Sequence, residues 1–419
     1  MKSTWRITTL VMAIAVTALA AVAGTASAAP AAGTSASATT IRIWADGNRK
    51  AAVERVAGAW ARSRGVNVDV VLKEFGDIRT NLSTVTADAA PDVIVGAHDW
   101  TGELAAGGLV VPLTPRKTAI APFPKYTLDA FSYGTAVKRL YGTPVAVENI
   151  GLVVNTKLAH VPTSFADLES QALKFKKKKS GNLAIAVPQG ANGDAYHMYP
   201  FFSGLGGYIF GLTARGTVNP KNVGVANPNF LKNAPLIDKW NREGLINSKV
   251  DYDTAKNAFK NKQAAFWITG PWESNSLADS GLKYKIVQLP RIVPKYRSAP
   301  FLGVQGFMVT KFAGQHGVSS LAKDLVSSYM MGTGAQLTLA AANGRYPANL
   351  NAGKRVTDGV LKQFGAASTG GVPMPNIPQM ASVWSELGGA WVKSTKGSGA
   401  TPAKRSFSVA ARNITSKIG

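Results

Sequence analysis

Near the end of the chain stands the run Met374-Pro375-Asn376-Ile377-Pro378-Gln379-Met380, with Trp384 close behind. Upstream lie Ala97-His98-Asp99, Val147-Glu148-Asn149, Asp194-Ala195-Tyr196 and Gly270-Pro271-Trp272. These segments supply spaced aromatics and carboxylates and no reactive nucleophile. A pyranose has an apolar C–H face that packs on an aromatic ring. Its rim of hydroxyls bonds more strongly to ionised carboxylates than to neutral acceptors. Tyr196, Trp272, Trp384 and Trp100 suit the first role, and Asp99, Glu148 and Asp194 the second. Most tryptophans are core residues, and Trp44 and Trp60, in strand-like and helix-like patterns, are expected to be so. The same carboxylates would serve a glycosidase only if two of them stood at a fixed separation, which sequence alone does not supply.

Other chemistries are poorly represented. The four histidines, His98, His160, His197 and His316, show no metal-ligand spacing. The chain has no cysteine, so a structural zinc site is disfavoured and disulfides are impossible. No GxSxG elbow and no Walker-type glycine loop occurs. Gly204 to Gly207 lacks the dinucleotide fingerprint and reads as a helix stop. No cofactor, no metal and no catalytic residue are expected, and the chain is read as a non-enzyme.

The elements that must position these residues follow from periodicity. Thr40 to Ala45 reads as a strand. Arg49 to Arg62 reads as a helix, with Val53, Val56, Ala57 and Trp60 on one face and Gly65 as its stop. Val66 to Leu72 alternates like a strand, and Pro91 to Val95 is a buried-strand run. This order argues for a parallel α/β sheet, whose ligands sit off the carboxyl ends of its strands. Ala97-His98-Asp99 follows such an end. Ser394 to Thr401 reads as a loop and Ala403 to Ile418 as a basic amphipathic helix.

The chain opens Met1-Lys2 with Arg6, runs apolar from Ile7 to Val22, and reaches Ala26-Ser27-Ala28. That pattern is a secretory signal peptide, expected over 1–28; the apolar run is short for a membrane span. Residues 29–39 are small and polar and read as a flexible linker. Export without cysteine implies a chain that is not lipidated, periplasmic or extracellular and associated with the cell envelope. Net charge is +24, with Lys2 and Arg6 in the leader. Its basic residues are scattered, which argues against nucleic acid. Lys174 and Lys176 to Lys179 read as a solvated helix end, and the collective charge suits adhesion to an anionic envelope.

In this order, the segments resemble the maltose/maltodextrin-binding proteins, extracytoplasmic receptors of ABC sugar importers within the bacterial extracellular solute-binding proteins (family 1). The anchors are Ile43-Trp44, Pro91-Asp92, Ala97-His98-Asp99, Pro144 to Glu148, Ala258-Phe259, Thr269 to Trp272, Pro300 to Val304 and Met374 to Met380. The resemblance implies an α/β, two-lobed periplasmic-binding-protein-like fold (type II), with hinge strands joining the lobes and a sugar cleft between them. Residues 40–146 and 304–350 would form the N-terminal lobe, and 151–300 and 355–419 the C-terminal lobe. It implies that Asn48, Arg49, Asp99, Glu148 and Asp194 bind sugar hydroxyls. Tyr196, Trp272 and Trp384 would be stacking platforms, and Met374 and Gly96 would line the cleft. Asp194 is one methylene shorter than the family's Glu. Gly96 stands where a stacking Trp is common and Trp100 where an Arg is common: an aromatic relocated by four residues, or a changed subsite. Ser385 and Gly388 remove bulk beyond Trp384, and Val154 replaces a usual Tyr. The implied function is a monomeric receptor that closes on a malto-oligosaccharide or related α-glucan such as a cyclodextrin and presents it to a membrane permease. A receptor for another oligosaccharide, such as trehalose, is the alternative; a glycan hydrolase and an envelope-adhesion protein are the rivals from other classes.

Overall fold

The computed structural model describes residues 39–134, 137–214, 216–342 and 344–418. The expected signal peptide, and all but the last residue of the expected linker, lie outside the described residues. Strand β1 (Thr40–Ala45) feeds helix α1 (Lys50–Arg64), and β2 (Asn67–Leu72) returns parallel to β1. The buried face of α1 is Val53, Val56, Ala57 and Trp60, flanked by Ala52 and Ala61. Gly65 closes the helix at φ 65°, a left-handed conformation that suits a residue without Cβ. Arg49 is the N-cap of α1 rather than its first residue. Strand β3 (Val93–Ala97) starts two residues later than the sequence suggests. The Asp92 carboxylate accepts the Arg42 backbone N–H at 2.8 Å just before it.

Further along lie β4 (Gly142–Glu148), β5 (Gly151–Asn155), α2 (Phe165–Lys177), α3 (Ala195–Gly204), β6 (Phe266–Thr269), β7 (Tyr284–Val287), β8 (Phe301–Val309), β9 (Tyr346–Pro347), β10 (Val372–Pro373), α4 (Ala381–Thr395) and α5 (Ala403–Ile418). One sheet runs β9-β4-β8-β3-β1-β2, with β10 joined to β8; a second runs β6-β5-β7. The first sheet is mixed, because β8 is antiparallel to both β3 and β4.

Strand alternation gives each sheet two buried faces. Ile41, Ile43, Val93, Val95, Phe307 and Val309 share one cluster with Trp60, while Trp44, Ile94, Val304 and Met308 share another with Phe131. In the second sheet Leu152, Val154, Phe266 and Ile268 face a large core with Trp240 and Trp391, and Val153, Trp267 and Ile286 face a smaller one. The chain thus has two separate cored bodies. Strand β8 belongs to both: Phe301 sits in the second body's core and Val304 in the first's. The short link from β4 to β5 crosses beside it. There the Asn149 amide donates to the Phe364 carbonyl at 2.9 Å.

The lysine run ends α2 mostly exposed, as expected of a solvated helix end. Helix α5 buries Phe407, Ala410 and Ile414 against α4, with Trp391 edge-on to Phe407 at 5.2 Å. Its apolar face is therefore already covered.

Candidate functional site

Between the two bodies lies a cavity of ≈ 660 Å³. Its first wall is built from the carboxyl ends of strands. Asp46 and Arg49 follow β1, Asp99 and Trp100 follow β3, and Glu148 ends β4. The second wall carries Asp194, Tyr196 and His197 at the start of α3, Trp272 after β6, and Met374 and Trp384 from the C-terminal region. Asn48 lies at the rim, exposed. Gly96 lies behind the lining.

Gly96 nevertheless has a clear task. A Cβ there would lie 2.2 Å from Trp100 Cζ3, a distance no pair of heavy atoms tolerates without displacement. The absent side chain is the space the Trp100 indole occupies. Trp100 then packs on Phe75 at 4.8 Å, and the Arg49 guanidinium lies 4.8 Å from the other ring of that layer, Phe75 itself. Gly270 makes the same kind of room for Trp272, again at 2.2 Å.

Of the three predicted carboxylates, two are held low and one is pushed up. Burial raises Glu148, but Arg345 and Arg49 outweigh it and hold the carboxyl below its ordinary range. Arg345 Nε donates to Glu148 Oε2, and Gln305 donates to Oε1 at 2.6 Å. Asp99 is pushed up to about 6 by burial, against the pull of Arg79 and the hydrogen bond from Trp384. The Trp384 indole N–H donates to Asp99 Oδ2 at 3.0 Å, joining the two walls. Burial also raises Asp194, but His197 outweighs it and keeps the carboxylate low. Asp194 is the N-cap of α3: Oδ1 accepts the His197 backbone N–H at 2.9 Å, and Oδ2 lies 2.6 Å from His197 Nδ1. Its foremost contacts are thus with His197, which the sequence reading did not select.

Arg49 and Asp46 form a buried ion pair at 3.0 Å whose alignment makes no hydrogen bond, so Arg49 Nη1 and Asp46 Oδ2 both retain bonding capacity. Burial lowers the Arg49 guanidinium to about 10, and Asp46 opposes that shift. Trp272 is held from behind: its indole N–H donates to the Tyr252 hydroxyl at 2.7 Å, which donates in turn to Glu273. Lys256 Nζ donates to the same carboxylate at 3.2 Å. In front, the Arg345 guanidinium lies 5.4 Å from the Trp272 ring, a second contact between the walls.

His98, part of the Ala97-His98-Asp99 segment, is not a cavity group. Its Nδ1 accepts the Val304 N–H and its Nε2 donates to the Met374 carbonyl, both at 3.1 Å. Burial drives the ring down to about 4, so it is neutral and acts as a strut between β8 and the Met374 segment.

Asp46, His197, Tyr252, Gln305 and Arg345 line the cavity and were missed from sequence. Asp46 alone carried a signal, as an acid placed immediately after the first strand. Among the described residues no cluster of His, Cys, Asp and Glu could hold a metal ion. The arrangement can present flat apolar faces and charged acceptors to one polyhydroxylated guest from both sides.

A profile of the family described as bacterial extracellular solute-binding protein matches residues 56–362. A galactooligosaccharide-binding protein of Bacillus subtilis is 25% identical over 370 residues, covering 84% of this chain and 83% of its own. The maltodextrin-binding protein MdxE of the same organism is 26% identical over 352 residues, covering 79% of each. Among solved structures, a Thermus thermophilus maltotriose binding protein bound with maltotriose superposes with a TM-score of 0.79 at 25% identity, covering 90% of this chain and 100% of its own.

Proposed function

The chain belongs to the bacterial extracellular solute-binding protein family and has its two-lobed α/β fold, and from that premise we propose that it is an exported receptor delivering an α-glucan to an ABC importer. The ligand class is malto-oligosaccharide, from maltose to longer or cyclic chains. The observation that carries this reading is the ≈ 660 Å³ cavity, with aromatic faces on both walls and buried carboxylates among them. Ligand-holding clefts span roughly 300–1,000 Å³. The names of the B. subtilis and T. thermophilus relatives supply the sugar class. The crossings at β4–β5 and within β8 would be the hinge, and a ligand touching both walls favours the shut form by its differential affinity. We read the protein as a monomer that catalyses no reaction on its ligand, binds no nucleic acid, and is not lipidated, since the sequence holds no cysteine. Asn48, Arg49, Asp99, Glu148 and Asp194 would serve hydroxyls; Tyr196, Trp272, Trp384 and Trp100 would stack.

A second reading, a galacto-oligosaccharide, rests on the galactooligosaccharide-binding relative. A thermal-shift panel of maltotriose, maltoheptaose, a cyclodextrin, trehalose and galacto-oligosaccharides separates the two. A ligand confined to the native state at a hundred times its Kd stabilises it by about 2.7 kcal/mol. The α-glucans are expected to raise Tm; a shift with galacto-oligosaccharides alone selects the second reading, and no shift with any sugar removes both.

Asp99 also predicts a pH dependence. Glu148 and Asp194 are held low and stay ionised, whereas Asp99 gains a proton as pH falls through about 6. A sugar hydroxyl donating to Asp99 then loses its charged acceptor. Maltotriose affinity is expected to weaken roughly tenfold between pH 7 and pH 5, by calorimetry, and the dependence should vanish in Asp99→Asn. Stability moves the other way. The folded-state value lies above the unfolded one, so the folded protein binds more protons and this residue's contribution rises as pH falls through the same window.

A further inference from the structure

We propose that His197 is a specificity-determining residue of the cavity, its Nε2 accepting one sugar hydroxyl while the Tyr196 hydroxyl engages the neighbouring one. The inference rests on the carbohydrate reading above and deepens it. His197 stands in the first turn of α3 and is only 5% exposed. Its backbone N–H and its Nδ1 both meet the Asp194 carboxylate, at 2.9 and 2.6 Å. An ionised carboxylate only accepts hydrogen bonds, so Nδ1 carries the hydrogen, and in that Nδ1–H tautomer Nε2 presents a lone pair. That Nε2 is buried and has no partner in the protein; neither has the buried hydroxyl of Tyr196, whose ring meets His197 edge-on at 5.7 Å. Both residues line the cavity.

The rings are held in place. His197 packs edge-on to Trp272 at 5.8 Å and to Tyr252 at 6.0 Å, and Tyr196 stacks on Phe301 at 6.1 Å. Two fixed, buried, unpaired polar atoms are a penalty in the empty cavity that the right guest removes. A vicinal diol is such a guest: one O–H donates to Nε2 while the adjacent oxygen meets the tyrosine hydroxyl. A site built this way rejects analogues that lack the hydroxyl. Asp194 then acts through His197 as a positioning residue, setting its tautomer and capping its helix.

The test uses the full chain with maltotriose and its monodeoxy analogues. His197→Phe keeps a ring of similar size and its edge contacts but has no acceptor; its affinity is expected to fall roughly ten- to hundredfold. One monodeoxy analogue should lose affinity for the unsubstituted chain and show no further loss with His197→Phe. His197→Gln, which restores an acceptor, should recover part of the loss. Asp194→Asn keeps the helix cap but no longer dictates the tautomer, and should fall in between. In ¹⁵N spectra of the unsubstituted protein, the Nε2 resonance assigned to His197 should move on saturation with maltotriose, a signature a merely structural histidine would not give. His197→Phe binding within twofold of the parent, while Trp272→Ala loses binding, overturns this inference and leaves the carbohydrate reading standing. If His197→Phe does not fold, a stationary Nε2 resonance overturns it instead. Failure of the unsubstituted chain to bind any sugar of the panel overturns both.

Discussion

Replacing Trp384 by alanine is expected to weaken maltotriose binding at least about thirtyfold, the loss typical of a central aromatic worth roughly 2 kcal/mol or more. Three features concentrate the effect there. The indole is half-buried on the second wall and lines the cavity. It stands edge-on to Phe301 at 5.8 Å, which fixes its tilt. Its N–H bonds Asp99 on the opposite wall, so the residue lies where the walls meet. Calorimetry gives the affinity, and far-UV circular dichroism with a melting curve shows whether the fold persists. The variant should remain folded, because the cores are carried by Trp240, Trp391 and the phenylalanines rather than by this ring. Unchanged affinity would mean that the sugar is held elsewhere.

The largest loss of stability is expected from Arg345→Met. Arg345 and Glu148 are each about 5% exposed at the side chain and form a direct ion pair. Removing one partner leaves a carboxylate buried with Gln305 and the more distant Arg49, and breaking such a pair typically costs about 3–5 kcal/mol. Urea unfolding measures it as a drop in the transition midpoint at unchanged slope. Pairing the change with Glu148→Gln should recover much of the loss, since the orphaned charge goes with it; a double variant as unstable as Arg345→Met would assign the loss to packing instead. Maltotriose binding should suffer in both, since Arg345 also faces Trp272 at 5.4 Å.

What the sequence discloses depends on how local the cause is. Strand β1 and helix α5 begin and end where periodicity places them, and Gly65 stops α1, because these features are decided within a few residues. Trp272, Trp384, Glu148 and Asp99 could be singled out because each stands in a short recognisable segment. Arg345 could not. It meets Glu148 through pairing of Tyr346 with Val147 in antiparallel strands, across a separation of 197 residues. Gln305 reaches Glu148 through the register of β8 on β4. Asp194 shows a subtler limit. Its type and position were visible, but its foremost contacts are with a histidine three residues on, and a helix turn decides that. The link between Trp384 and Asp99 exists only once two bodies face one another.

The missing side chain at Gly96 also constrains descent. A Cβ at 96 and the indole at 100 would compete for the same space, so position 96 cannot gain a side chain while the indole stands at 100. A lineage moving its aromatic from one site to the other has to vacate the destination's neighbour first, through an ancestor bearing a large ring at neither. Relatives with a side chain at 96 should therefore lack an indole at 100, and placing an indole at 100 in such a homologue should fail unless 96 is made glycine as well.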